Sequence, residues 1–392
     1  MGNWKTCNIA DLGTVVGGAT PSTKNNANYD GGDIPWITPK DLAGFSGRFI
    51  SRGERNITEH GLKSCSTQLM PAHTVLFSSR APIGYVAIAE NEVCTNQGFK
   101  SVIPNEKTDY MFLYYLLKYN KDKIEYLGSG TTFKEVSGNT MRGVEVIVPE
   151  SLEEQRKIAS ILSVIDSKIE RNREINDNLL QQAQAIFTQE FLNVEGIPDG
   201  WKESSLLGIA DYLNGLAMQK FRPKDDEQGL PVLKIKELRQ GAYDASSELC
   251  SPSIKPEYIV HDGDVIFSWS GSLLVDFWCG GTCGLNQHLF KVTSGTYDKW
   301  FYYAWTNHHL QEFVAIAADM ATTMGHIKRE ELSKAVVLIP SQSDYDRIGG
   351  LLAPLYDLVI ANRIENRKLA ALRDELLPQL MSGQLDVSEV DL

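Results

Sequence analysis

Apolar positions between residue 151 and about residue 192 fall on a heptad. Ile158, Leu162, Ile165, Ile169, Asn172, Asn176, Leu179, Ala183 and Ile186 follow one another at alternating steps of 4 and 3, which predicts a long helix packed along another helix. Offset by 190, a second stretch from 341 to about 377 repeats the seam as Ile348, Leu352, Leu355, Val359, Asn362, Asn366, Leu369, Arg373 and Leu376. Both seams carry two Asn in the middle of the run. Ser151 followed by Glu154, and Ser341 followed by Asp344, predict capped N-termini. Each stretch spans roughly 60 Å if helical throughout. Pro354 predicts a bend or a late start in the second helix, while Pro378 and Gly383 predict its end.

A seam of this length needs a partner, and the other helix is the obvious one. Antiparallel pairing about a pseudo-two-fold axis near residue 174 sets Asn172 against Asn366 and Asn176 against Asn362. A buried Asn is satisfied only by a polar partner, so such pairs fix the register. A wet midpoint without specific pairing is the plainer alternative, and chain connectivity alone also permits a parallel arrangement.

The remaining pattern is one unit written twice. Trp4-Lys5 is answered by Trp201-Lys202, after a break at 196–200 that reads Gly-Ile-Pro-Asp-Gly. The run 32–42 is answered by 229–238, Val75-Leu76-Phe77-Ser78 by Val265-Ile266-Phe267-Ser268, and Asn96-Gln97 by Asn286-Gln287. Thr131-Thr132 matches Thr322-Thr323, and Val146-Ile147-Val148-Pro149 matches Val337-Leu338-Ile339-Pro340. Strands are predicted at 74–78, 85–89, 144–148, 265–269, 289–292 and 336–339, with one amphipathic helix per unit at 109–127 and 297–317. The expected fold is α+β: two similar α/β domains joined by two long helices that pair as an antiparallel coiled coil. Its boundaries are 1–150 and 196–340 for the globular parts, with helical spacers at 151–195 and 341–392.

Length and composition add bounds. The 392 residues are 42% hydrophobic and 22% charged, as in ordinary globular proteins, with no apolar run long enough to cross a membrane. Six Cys in no disulfide framework and an N-terminus unlike a signal peptide point to a cytoplasmic chain. The net charge of −12 argues against nucleic acid only until it is divided. Residues 1–150 balance 15 basic against 15 acidic groups, whereas 151–200 and 341–392 each hold 5 against 9. Phosphate contact depends on local potential, so the total leaves DNA binding open.

No nucleotide-binding glycine loop, nucleophile elbow or H-E-x-x-H stands in the chain. Cys279, Cys283 and His288 could be forced into a metal site, and Asp262, Asp264 and Lys234 into a nuclease; core and loop roles account for both groups. The repeated Asn96-Gln97 and Asn286-Gln287 have two readings, as amides that bond adenine or as residues that close a turn. Two similar heads on a rod suit two half-sites of one long ligand. Because the heads differ in sequence, the half-sites should differ. Polar loop residues at repeated positions are the candidates: Lys40, Ser79, Arg80, Thr132 and Lys134 in the first head. In the second they are Lys220, Arg222, Lys236, Trp269, Thr323, His326 and Lys328.

The opening Gly17-Gly18-Ala19-Thr20-Pro21-Ser22, the Phe77-Ser78-Ser79-Arg80 run and the junction Ile147-Val148-Pro149 before Glu153-Glu154-Gln155-Arg156-Lys157 carry a resemblance. So does Met381-Ser382-Gly383-Gln384-Leu385 near the end. With the two-unit plan, the whole chain resembles the specificity (S) subunits of type I restriction–modification systems. That resemblance implies two target recognition domains on double-stranded DNA, each reading part of a split sequence, and paired helices that set the gap. It also implies two docked methyltransferase (M) subunits that methylate adenine, with motor–nuclease (R) subunits where the complex cleaves. S-adenosylmethionine, ATP and Mg would sit on those partners and none in this chain. The second junction, Pro340-Ser341-Gln342-Ser343-Asp344, lacks the Glu-Gln-Arg pattern, and the second head reads Ala217-Met218-Gln219-Lys220 where the first has Thr-Pro-Ser. From the residues alone, a restriction–methylation enzyme acting by itself and a duplicated coiled-coil scaffold that does not read DNA stay as alternatives.

Overall fold

The computed structural model describes residues 3–130, 134–319, 327–388 and 390. The chain divides into two compact units, residues 1–170 with 369–392, and residues 171–368. The division falls inside both long helices, so each unit holds a globular part and a stretch of each helix.

The first long helix runs Leu152–Phe187 and ends in a π turn, Thr188–Leu192; the second runs Gln342–Met381. Pro354 therefore marks no late start: the helix passes through it, with the proline exposed and Gly349-Gly350 in the turn before. Pro378 does not end the helix either. Gly383 does, at φ 72°, where its N–H reaches the Leu380 carbonyl at 3.3 Å. Ser151 Oγ accepts from the Glu154 N–H at 3.4 Å and Ser341 Oγ from the Asp344 N–H at 3.3 Å, as the capping pattern predicts. The acids then do something the spacing did not indicate. Glu154 accepts the Trp4 indole N–H at 3.2 Å and Asp344 that of Trp201 at 2.9 Å, so the tryptophan opening each half is tied to the first turn of the helix closing it.

In the second unit the helices pair antiparallel in the predicted register. Asn172 Nδ2 donates to Asn366 Oδ1 at 2.8 Å, and Asn362 Nδ2 donates to Asn176 Oδ1 at 2.9 Å. The 190-residue offset exchanges these two bonds, so the two amide–amide bonds obey the two-fold, while Asn172 Nδ2 also donates to Glu365 at 2.7 Å, a contact with no counterpart at Ile175. Asn172 and Asn176 are 1% and 5% exposed, which is why the amides cannot turn to water instead. In the first unit, Arg373 interrupts the seam where the first helix has Ala183. Its guanidinium reaches Asp166 Oδ1 at 2.8 Å, and Tyr115 donates to Asp166 Oδ2 at 2.7 Å. A buried carboxylate with both partners in place is tolerable; losing one partner would leave a charge in the core.

The globular parts share a core topology and differ by one edge strand in each sheet. A two-stranded ribbon joins the start of each to its end, Trp4–Asn8 with Glu145–Pro149 and Lys202–Ser205 with Val336–Ile339. The first part has a sheet ordered Gly13–Gly17, Lys100–Pro104, Val75–Ser79, Ile83–Ala89, Phe49–Ile50, and the second has Asp211–Asn214, Leu289–Thr293, Val265–Ser268, Leu274–Phe277. A smaller sheet puts Ile34–Ile37 parallel to Cys94–Thr95, and Leu230–Leu233 parallel to Cys283–Leu285. Each predicted amphipathic helix is in fact two, Tyr110–Tyr119 with Lys121–Tyr126 and Lys299–His308 with Leu310–Asp319. At the first break the Asn120 amide turns back onto the Leu116 carbonyl at 2.9 Å; at the second the His309 ring reaches the Val336 carbonyl at 2.8 Å. The first helix of each pair is mostly buried, with Phe112 to Leu117 in one core and Trp300 to Trp305 in the other.

The amide pairs generate a stability prediction. Asn172→Leu removes the donor to Asn366 Oδ1 and Asn366→Leu its acceptor, so each should lower stability by about 1–3 kcal/mol. The double variant should regain most of that loss in urea denaturation, because two apolar partners need no hydrogen bond. Strictly additive losses would show that the amides do not act as a pair.

Candidate nucleic-acid interface

In both globular parts two parallel strands end side by side, and the loops that follow them wall a cleft. In the first unit Thr38 to Lys40 make one wall and Asn96 with Gly98 the other, joined by Arg80, Lys134 and Glu135 around a space of about 490 Å³. In the second, Lys234 to Lys236 and Asn286 to His288 make the same walls, joined by Gln219, Arg222 and Glu248 around about 440 Å³. Repeated sequence thus produces repeated clefts at matching strand ends, and among the described residues each is lined by three Lys or Arg against one glutamate.

Of the sequence-derived candidates, Lys40, Arg80, Asn96 and Lys134 line the first cleft, and Arg222, Lys236, Asn286 and Gln287 line the second. Lys134 and Arg222 are exposed. The Lys40 ammonium lies 2.6 Å from Glu54, whose hydrogen bond raises the lysine's pKa above the ordinary range. Lys236 reaches Asp244 at 3.1 Å and Ser246 at 2.8 Å. Asp244 in turn is held down to about 2, first by the Ser246 hydroxyl and then by Lys236.

The Asn of each repeated Asn-Gln closes a turn. Asn96 Oδ1 accepts from the Gly98 N–H at 2.8 Å, and Asn286 Oδ1 from the His288 N–H at 3.3 Å. Asn286 is only 7% exposed. The glutamines are the more open members: Gln97 is exposed and accepts from the Thr20 hydroxyl, and Gln287 Nε2 lies 3.3 Å from His288 Nε2.

Other candidates fall elsewhere. Ser79 is fully buried, its hydroxyl 3.5 Å from the Lys100 ammonium, so as placed it cannot touch a ligand. It takes the inward side of a strand that is buried at every position. Trp269 is half-buried, donates to Asn214 Oδ1 at 3.0 Å and packs beside His288 and Phe290, forming part of the head rather than a cleft wall. Lys220 is exposed at the end of the short Met218–Lys220 helix, next to the cleft residue Gln219. Lys328 is exposed at the start of the Arg329–Lys334 helix and does not line the cleft. Thr132, Thr323 and His326 lie outside the described residues.

The polar cleft residues absent from the candidates are Thr38, Glu135, Gln219, Glu248, Lys234 and His288, the last two considered only as part of a nuclease and of a metal site. None sits in a matching pair of identical residues, the strongest signal the repeat supplies. The nuclease and metal groupings also resolve structurally. Asp262 pairs with Arg367 at 2.6 Å and Asp264 with Lys291 at 2.8 Å. Burial pushes the Cys279 thiol up to about 11 and Cys283 up to about 12, which disfavours the thiolate a metal would need.

Two α/β units, each with a basic cleft and a share of two paired helices, define a duplicated, cleft-bearing class of protein. Residues 1–181 match the family described as the type I restriction modification DNA specificity domain. The MjaIX type I restriction enzyme specificity subunit of Methanocaldococcus jannaschii is 36% identical, over 99% of this chain and 95% of its own. The HindI specificity subunit of Haemophilus influenzae is 30% identical over 45% of this chain and 40% of its own. A crystal structure of the type I restriction–modification S subunit from M. genitalium has the same fold at a TM-score of 0.60 and 16% identity, covering 97% of this chain and 96% of the other. The chain belongs to the family of type I restriction–modification specificity subunits. Its fold class and duplicated plan are those expected from the sequence.

Cleft cations should carry phosphate affinity. Lys134→Ala and Lys236→Ala should each weaken binding to duplex DNA and lower the slope of log affinity against log salt by about one. Lys107→Ala, an exposed cation elsewhere on the first head, should change neither. Equal effects from all three in a salt titration would remove the clefts from the interface.

Proposed function

We propose that each globular part reads one portion of a split double-stranded DNA target through its cleft. The paired helices set the gap and dock two methyltransferase subunits, with restriction subunits joining where the complex cleaves. The observation that carries this reading is the recurrence of the cationic cleft at the same strand ends in two heads of different sequence. A common frame with different linings suits two different half-sites of one duplex. Cations in the walls meet phosphates, and Gln97 and Gln287 present amides to base edges. In this division of labour the chain recognises and its partners catalyse. S-adenosylmethionine, ATP and Mg belong to the partner subunits, and the complex works in the cytoplasm. No described helix is long and apolar enough to cross a membrane.

The test is co-expression with the host's type I methyltransferase subunits, followed by mapping of methyladenine across the genome. A split motif that vanishes when this chain is omitted is the expected result. Methylation that persists unchanged without the chain would overturn the reading and favour a scaffold that does not read DNA.

A further inference from the structure

We propose that Glu135 and Glu248 set discrimination: each withholds two cations, in its cleft or directly beside it, from indiscriminate phosphate contact. This rests on the reading of the clefts as the DNA interface. In both clefts the two carboxylate oxygens take one cation each. Glu135 lies 3.5 Å from the Arg80 guanidinium and 3.6 Å from the Lys100 ammonium. Glu248 lies 2.6 Å from the Lys234 ammonium and 3.2 Å from the Arg222 guanidinium.

Shared descent does not account for the coincidence. Glu248 directly precedes the strand Leu249–Cys250, and its counterpart before the matching strand Arg55–Ile57 is Glu54, which pairs with Lys40. Glu135 comes from a different place, shortly before the Gly138–Arg142 helix. Two non-equivalent positions therefore supply the same group to the same cleft. Folding stability does not account for it either, since partly exposed ion pairs of this kind contribute little.

Their effect falls on binding. A phosphate that enters the cleft competes with the carboxylate for the same donors and then lies beside a like charge. A duplex whose sequence brings only phosphate to the carboxylate meets that repulsion in full. One whose sequence places a cytosine N4 or adenine N6 amino group within reach of that carboxylate gives it a new donor. The carboxylate thus weakens binding to every sequence, and most to those that fail to replace its partners.

The experiment uses the full chain with its methyltransferase partners and two probes: a random-sequence duplex and a duplex carrying the motif from the methyladenine map. Glu135→Gln and Glu248→Gln should each tighten binding to the random duplex about 3- to 10-fold and steepen its salt slope by about one. Motif binding should change less, so the ratio of the two affinities falls. Glu248→Asp, which keeps the charge, should stay near the parent. Unchanged or weaker binding of the random duplex by the Gln variants, with melting as in the parent, overturns the proposal alone. A parent complex that binds both duplexes equally overturns the reading of the clefts as well.

Discussion

Two pairs of buried amides at the middle of an apolar helix seam are the constraint on which the rest of this structure depends. Leu, Ile and Val side chains hold helices together but are indifferent to a slip of one heptad, since another apolar residue then takes the same place. An amide is not indifferent. Shifted by a heptad, Asn172 would face Val359 or Arg373, neither of which has a side-chain acceptor for its N–H groups. The register that joins Asn172 to Asn366 also joins Asn362 to Asn176, because the two helices descend from one.

Each globular part is tied to the helices by polar contacts as well as by its core. The indole of Trp4 or Trp201 bonds the acid in the first helical turn. Arg48 grips Glu170 at 2.7 Å in the first unit, and Arg363 reaches Asp276 at 2.6 Å in the second. The tryptophan contact is inherited by both halves. The arginine contacts run in opposite senses, from head to helix in one unit and from helix to head in the other. Duplication preserved the need for an anchor while the residues supplying it diverged.

The clefts show why a net charge of −12 says little about DNA. Charge is screened within about 10 Å at ordinary salt, so a phosphate responds to the few groups around it. The acidic excess is concentrated in the helical stretches, whereas each cleft has more cations than acids in its walls.

The sequence by itself determined whatever is periodic or repeated. The heptads announced both long helices, the matched Asn announced their register, and the duplication announced two heads of one core topology. These are legible because periodicity and repetition are properties of the string. It misplaced two helix boundaries, a late start at Pro354 and an end at Pro378, since both lie within a helix whose packing outweighs the loss of single hydrogen bonds. It also joined helices that Asn120 and His309 interrupt through side-chain bonds to distant or local carbonyls. Only the tertiary structure decided which polar residues share a site. It brought Glu135 to Arg80 and Glu248 to Lys234, turned Ser79 inward, and gave the two repeated Asn to their turns. Those outcomes depend on loops folding back from separate strands, and no spacing along the chain encodes where their side chains meet.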